Sequence, residues 1–129
     1  MTRAHESLAE LAEPIGEQVK RLRDEGEKLL RRYGKGIAKR GLEHKRYAHA
    51  LMDLYAQIAV ISRVSAIFED QGVEASGQER FIAETFCTRA ERRVNGALDQ
   101  LWRNDDERVH SIARLAYKRG AYGYALFED

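Results

Sequence analysis

The sequence is poor in residues that staple, break or span: in 129 residues there is one cysteine and one proline, and acids and bases nearly cancel at net +1. A lone Cys87 cannot close an intramolecular disulfide, and the N-terminus lacks the apolar core of a secretory signal, so a reducing, cytoplasmic setting is expected. No unbroken apolar run approaches the ~18 residues of a membrane span, so a membrane-spanning chain is not expected. The balanced charge removes any overall field that would draw in nucleic acid or an acidic substrate. With turn residues scarce and the composition 43% apolar and 33% charged, a many-stranded β fold is excluded and an all-α one is left. A chain of this length closes one core unaided, so residues 1–129 are read as a single helical domain.

What is present is helical periodicity. Leu8, Leu11, Ile15, Val19, Leu22, Gly26, Leu29 and Tyr33 recur at spacings of three and four, one apolar stripe of a long first helix. Pro14 sits early in it and predicts a short lead-in, with the main helix starting or kinking at the proline. Gly34, Gly36 and Gly41 predict a turn between Tyr33 and Leu42. Ala50 to Ile61 reads ALMDLYAQIAVI, apolar around nearly the whole circumference, so this second helix must be covered on several sides. Ser76 with Glu79 forms a capping-box pattern that predicts the start of a third helix, with a stripe running from Ile82 and Ala83 to Leu101. Asn104 to Glu107 and Lys118 to Gly120 bound a fourth, expected to bury Val109, Ile112, Ala113, Ala116 and Tyr117. The expected fold is an all-α four-helix bundle of up-down type, with a short aromatic C-terminal tail.

Candidate chemistry is sparse. A di-iron bundle needs paired Glu-x-x-His motifs, and the sequence has none. His49 and Asp53 share a helix face, but two ligands make half a metal site; with Gln57 they read instead as a polar strip in the core. Cys87 lies on an apolar stripe without a histidine near it in sequence, so it reads as a small buried hydrophobe rather than a nucleophile. The Tyr33–Gly36 segment YGKG lacks the spacing of either phosphate-loop pattern and reads as a helix breaker. Catalytic, cofactor-binding and metal residues are therefore all assigned as none. The candidate interface is Leu54, Tyr55, Ile58 and Ile61 on the second helix, with Tyr122, Tyr124 and Phe127 of the tail. Arg31, Arg32, Lys35, Lys39, Arg40, Lys45 and Arg46 make a locally basic stretch that suits a solvated face, phosphates or anionic lipid.

Four segments together resemble a known family: RRYGKGI at Arg31 to Ile37, DLYAQIAVISRVS at Asp53 to Ser65, FIAETFCTRAERRV at Phe81 to Val94, and RGAY at Arg119 to Tyr122. In order and rough spacing they are similar to the C-terminal helical region of very-long-chain-type acyl-CoA dehydrogenases. That resemblance implies a parent enzyme that binds FAD and dehydrogenates a fatty acyl-CoA between its α and β carbons with a glutamate base. No catalytic or flavin-contacting residue of that parent maps onto this sequence. The matched region is an appended domain that packs on the catalytic body and is associated with subunit contacts and membrane proximity.

The leading expectation is thus a non-catalytic accessory domain whose partners are the parent's catalytic domains or a second copy of itself. A free-standing helical module that self-associates or binds a partner helix is the alternative of a different class. A third is a binder of RNA or anionic lipid through the basic stretch, which salt-dependent binding would distinguish.

Overall fold

A computed structural model describes residues 5–120, and within them the chain is helical almost throughout. After a 3-10 turn at Glu6–Leu8, α1 spans Ala9–Tyr33, α2 Gly41–Gln71, α3 Gly77–Gln100 and α4 Asp106–Arg119. A 3-10 stretch, Gly34–Lys39, joins α1 to α2, and a 3-10 turn, Glu74–Ser76, precedes α3. The all-α expectation with four helices is met, and Tyr122, Tyr124 and Phe127 lie outside the described residues.

Cross-helix bonds give the topology. Gln18 meets Gln57 and Tyr47 meets the Leu22 carbonyl, so α1 and α2 run antiparallel. Arg80 reaches the Ser7 carbonyl and Arg21 reaches Asn95, so α1 and α3 run in the same direction. Short connections make this up-down-up order the natural one. The most extensive packing is α2 on α3, where Ala83, Ala90 and Val94 present little bulk and let the axes approach closely.

Several details depart from the sequence reading. Pro14 lies inside α1 rather than at its start; only the 3-10 turn forms a lead-in, and the Pro14 carbonyl accepts a bond from the Gln18 side chain at 3.2 Å. The buried stripe of α1 is Ile15, Gln18, Leu22, Glu25 and Leu29, so the helix is rotated from the expected setting: Gln18 and Glu25 face in and Val19 faces out. The rotation is tolerated because both inward polar groups find partners. Gln18 exchanges two bonds with Gln57 at 3.0 and 2.7 Å, and Glu25 accepts from the Trp102 indole. Ser76 begins α3 as expected but forms no capping box, since its hydroxyl donates to the Gly72 carbonyl at 2.9 Å. α1 ends at Gly34, where φ is 52° and ψ is −129°, a conformation only glycine adopts without strain.

α2 also corrects the hydropathy expectation. By length and composition alone it is apolar enough to cross a membrane. Its setting is nevertheless that of a central bundle helix: it packs on both α1 and α3, and Asp53 is ion-paired to Arg93 at 3.1 Å.

The largest correction is α4, which is helical as expected but does not bury the residues expected of it. Val109 is 54% exposed, Ile112 55% and Tyr117 91%, Ala113 is exposed too, and Ala116 is only half-buried. Only Asp106 in its first turn is buried. The packed core is therefore built by α1, α2, α3 and the N-terminal 3-10 turn.

Gly26 shows how closely α1 and α2 approach. A Cβ there would stand 2.7 Å from the Tyr47 hydroxyl, which is held by the Leu22 carbonyl at 2.9 Å. Although alanine in a helix interior is worth about 1 kcal/mol over glycine, Gly26→Ala must displace that phenol and break its bond. We expect a net loss of about 1 kcal/mol, read as a lower midpoint in urea unfolding; an unchanged or raised midpoint would mean that Tyr47 swings aside freely.

Candidate functional site: an ion-paired core with exposed apolar faces

The expected polar strip does not form as one unit. His49 is exposed; Asp53 turns to α3 and pairs with Arg93; Gln57 is buried and joined to Gln18 on α1. Sequence reading identified Gln57 as a buried polar group but not its partner, which lies 39 residues away on a stripe that had been set one position off. The candidate interface also separates. Leu54 and Ile61 point into the core, at 5% and 4% exposure, and Ile58 packs against it half-buried, leaving Tyr55 as the exposed member among the described residues. Leu54, Ile58 and Ile61 share one face of the helix at i, i+4 and i+7, and Tyr55 lies about 100° round the axis from Leu54, at the edge of that face.

Exposed apolar surface is found elsewhere. Leu51, Met52 and Tyr55 stand out from α2, Phe81 and Ile82 from α3, and the stripe described above from α4. Between α1 and α2 lies an open groove of about 550 Å3, walled by Leu29, Leu30, Ile37, Tyr47, Ala48 and Leu51.

Charged groups serve mostly as struts. Of the basic stretch, Arg40 donates to Glu43 at 2.6 Å and lies over the Tyr33 ring, while Arg46 holds Asp106 through two bonds of 2.6 and 2.7 Å. Arg31, Arg32, Lys35, Lys39 and Lys45 remain exposed. The Arg46 guanidinium, hydrogen-bonded to Asp106, holds that carboxyl below the usual carboxylate range, and the carboxylate in turn raises Arg46. Because the folded value of Asp106 is depressed, its contribution to stability is present above the unfolded value near 3.9 and is lost as pH falls through the folded one. Arg46→Met should therefore cost about 1–2 kcal/mol at pH 7 and progressively less as the solution is acidified below about pH 4. A cost that stayed constant down to pH 2 would show that the pair contributes nothing electrostatic.

As to chemistry, Cys87 is buried on α3, and burial together with the Glu91 carboxylate pushes its thiol up to about 11, far from a thiolate at neutral pH. Among the described residues no three His, Cys, Asp or Glu side chains converge on a metal-sized space, and every buried side-chain nitrogen and oxygen already has a hydrogen-bond partner.

Sequence comparison identifies the family. The family model described as "ACAD9/ACADV, C-terminal domain" matches residues 6–122. The chain belongs to the family of C-terminal domains of very-long-chain-type acyl-CoA dehydrogenases.

Proposed function

We propose that this chain is a non-catalytic accessory domain, which stabilises a fatty acyl-CoA dehydrogenase and its subunit assembly by covering apolar surface on the catalytic body. The dehydrogenation, the FAD and the fatty acyl-CoA belong to that body, in a reducing, cytoplasmic setting. The observation that carries the reading is the exposure of Met52, Tyr55, Phe81 and Ile82 on a bundle whose core is complete without them. Large apolar side chains standing out in groups mark a surface meant to be covered.

The test supplies the chain in trans to a very-long-chain-type acyl-CoA dehydrogenase lacking its own C-terminal domain. A partner that binds only the folded body at about 100 times its Kd adds about 2.7 kcal/mol to the body's stability, visible as a rise in Tm. The double variant Tyr55→Asp, Phe81→Asp alters two exposed positions, so it should fold and yet give no rise. Failure of the wild-type chain both to co-elute with the body and to raise its Tm would refute the reading.

A further inference from the structure

We infer that α4 is a latched arm: the grip of Arg46 on Asp106 keeps it helical and in place, and when that grip opens α4 unfolds as a unit while the three-helix core stays intact. This inference concerns the chain alone and does not rest on the accessory-domain reading. Its first ground is that the core closes without the arm. The buried apolar cluster runs from Leu8 to Leu101, and no residue of α4 belongs to it. Among the described residues, the side-chain bonds of 106–119 stay within that segment or its own connection, save one pair: Arg46 of α2 holds the Asp106 carboxylate at 2.6 and 2.7 Å.

A helix in that position has little else to hold it. α4 has 14 residues, and a helix shorter than about 15 residues without a packed face is marginal in water, because its first turn is a costly nucleus. Local signals bring it only near balance: Asp106 and Glu107 in the first turn, Lys118 and Arg119 in the last, and Gly120 at φ 74° as the stop. What the N-terminus lacks is a side-chain cap, since Asp105 makes no capping bond. The Arg46 fork takes that place. By holding Asp106 at the first helical position, it fixes the turn whose ordering limits the whole helix.

Both sides of the latch are set before they meet. Glu43, three residues before Arg46 on α2, is the acid placed to draw Arg46 away, and it is held instead by Arg40 at 2.6 Å, which itself lies over the Tyr33 ring. Arg46 is thereby left to Asp106. On the other side, the connection from α3 belongs to the core: Leu101 is buried, the Trp102 indole is bonded to Glu25, the Trp102 and Arg103 amides donate to the Asp99 carbonyl, and the Asn104 side chain donates to the Gln100 carbonyl. The chain is tied down as far as Asn104, which places the hinge at Asp105 and Asp106. With the latch closed, Val109, Ile112 and Ala116 stand along one side of a formed helix; with it open, that stripe is dispersed.

Hydrogen exchange of the full chain at neutral pH, read by mass spectrometry on peptides from α4 and from α1 to α3, tests the latch. In the wild type the α4 amides should be protected, but less than those of Ala50 to Phe68 and Ala83 to Leu98, because the arm opens without the core. Arg46→Met should speed exchange across α4 about tenfold, the weight of one charge-assisted hydrogen bond, and leave the core peptides unchanged. The loss of stability expected above for that variant therefore falls on α4. Asp106→Ala should speed α4 exchange at least as much, and adding Arg46→Met to it should change nothing further, since the two residues act as one unit. Arg108→Met, which removes only the exposed pair with Asp105, should leave α4 as in the wild type. Core exchange that rises together with that of α4, or collapse of the whole chain in either latch variant, would show that arm and core are one unit and overturn the proposal. An α4 already unprotected in the wild type, unmoved by Arg46→Met, or loosened as much by Arg108→Met, overturns it as well.

Discussion

Phe68→Ala should cost about 3–5 kcal/mol and leave the chain close to unfolding at 37 °C. Phe68 is 2% exposed and the largest side chain in the buried core, near the C-terminal end of α2. The His5 ring meets it edge-on with centroids 5.6 Å apart, and the His5 amide donates to Ser65 one turn earlier at 3.0 Å. Leu8, at 1% exposure, is held in the same 3-10 turn, and Arg80 of α3 ties that turn down through the Ser7 carbonyl. Truncation removes the ring's transfer free energy and leaves a cavity where three elements meet, so collapse of one wall cannot fill it. Since single domains are stable by only about 5–15 kcal/mol, a loss of this size is a large share of the total. Urea unfolding followed by helical ellipticity measures it directly; a change below about 1.5 kcal/mol would mean that the N-terminal turn relaxes into the space.

The second large effect concerns the one fully buried polar exchange between α1 and α2. Gln57 is 1% exposed and Gln18 2%, and each amide donates to the other's oxygen. Gln57→Leu strands the Gln18 oxygen and one of its donors in an apolar setting, a desolvation penalty of about 1–3 kcal/mol. The reverse single variant, Gln18→Leu, should cost a similar amount. The double variant is the informative one: with both partners apolar, most of the loss should return, because an unmade bond costs more than an absent one. If the losses simply add, the pair is not a unit. A recovered double variant would also test helix register, since a one-position slip of α1 turns Gln18 out and Val19 in.

How much of this was legible in the sequence depends on what each signal physically encodes. Spacing of apolar residues encodes that a helix has a face to hide, which is why all four helices were found and α3 was placed with its buried set nearly intact, from Ala83 to Leu101. Spacing does not encode what hides the face. Val109, Ile112 and Ala113 have the same pattern whether they pack within the chain or against another molecule, so α4 was read as a core helix and is in fact exposed. Rotation about the helix axis is equally undetermined when two stripes lie side by side. The α1 reading took Val19 and Gly26 for the inner stripe because apolar residues are the safer inference, and the structure places Gln18 and Glu25 there because Gln57 and Trp102 satisfy them. Partners this distant in sequence leave no local trace.

The candidate site was legible in outline and not in its members. The second helix was read as needing cover on several sides, and within this chain Leu51, Met52 and Tyr55 stand exposed. Leu54 and Ile61 were drawn into the same set because a helix apolar on every side gives no clue to which side faces in. Family resemblance, carried by whole segments rather than single residues, survived these local errors, and the match over residues 6–122 spans all four of those segments.

The central claim is that this chain folds and docks but performs no chemistry by itself. The most direct measurement is the absorbance of the purified chain from about 350 to 500 nm after dialysis against excess FAD, followed by assay with a long-chain acyl-CoA and an artificial electron acceptor. The account predicts a folded, helical and colourless protein with no turnover, because the family it belongs to is that of the C-terminal domain and not of the flavin-binding body. A stoichiometric yellow complex that survives dialysis, or acyl-CoA-dependent reduction of the acceptor, would contradict it.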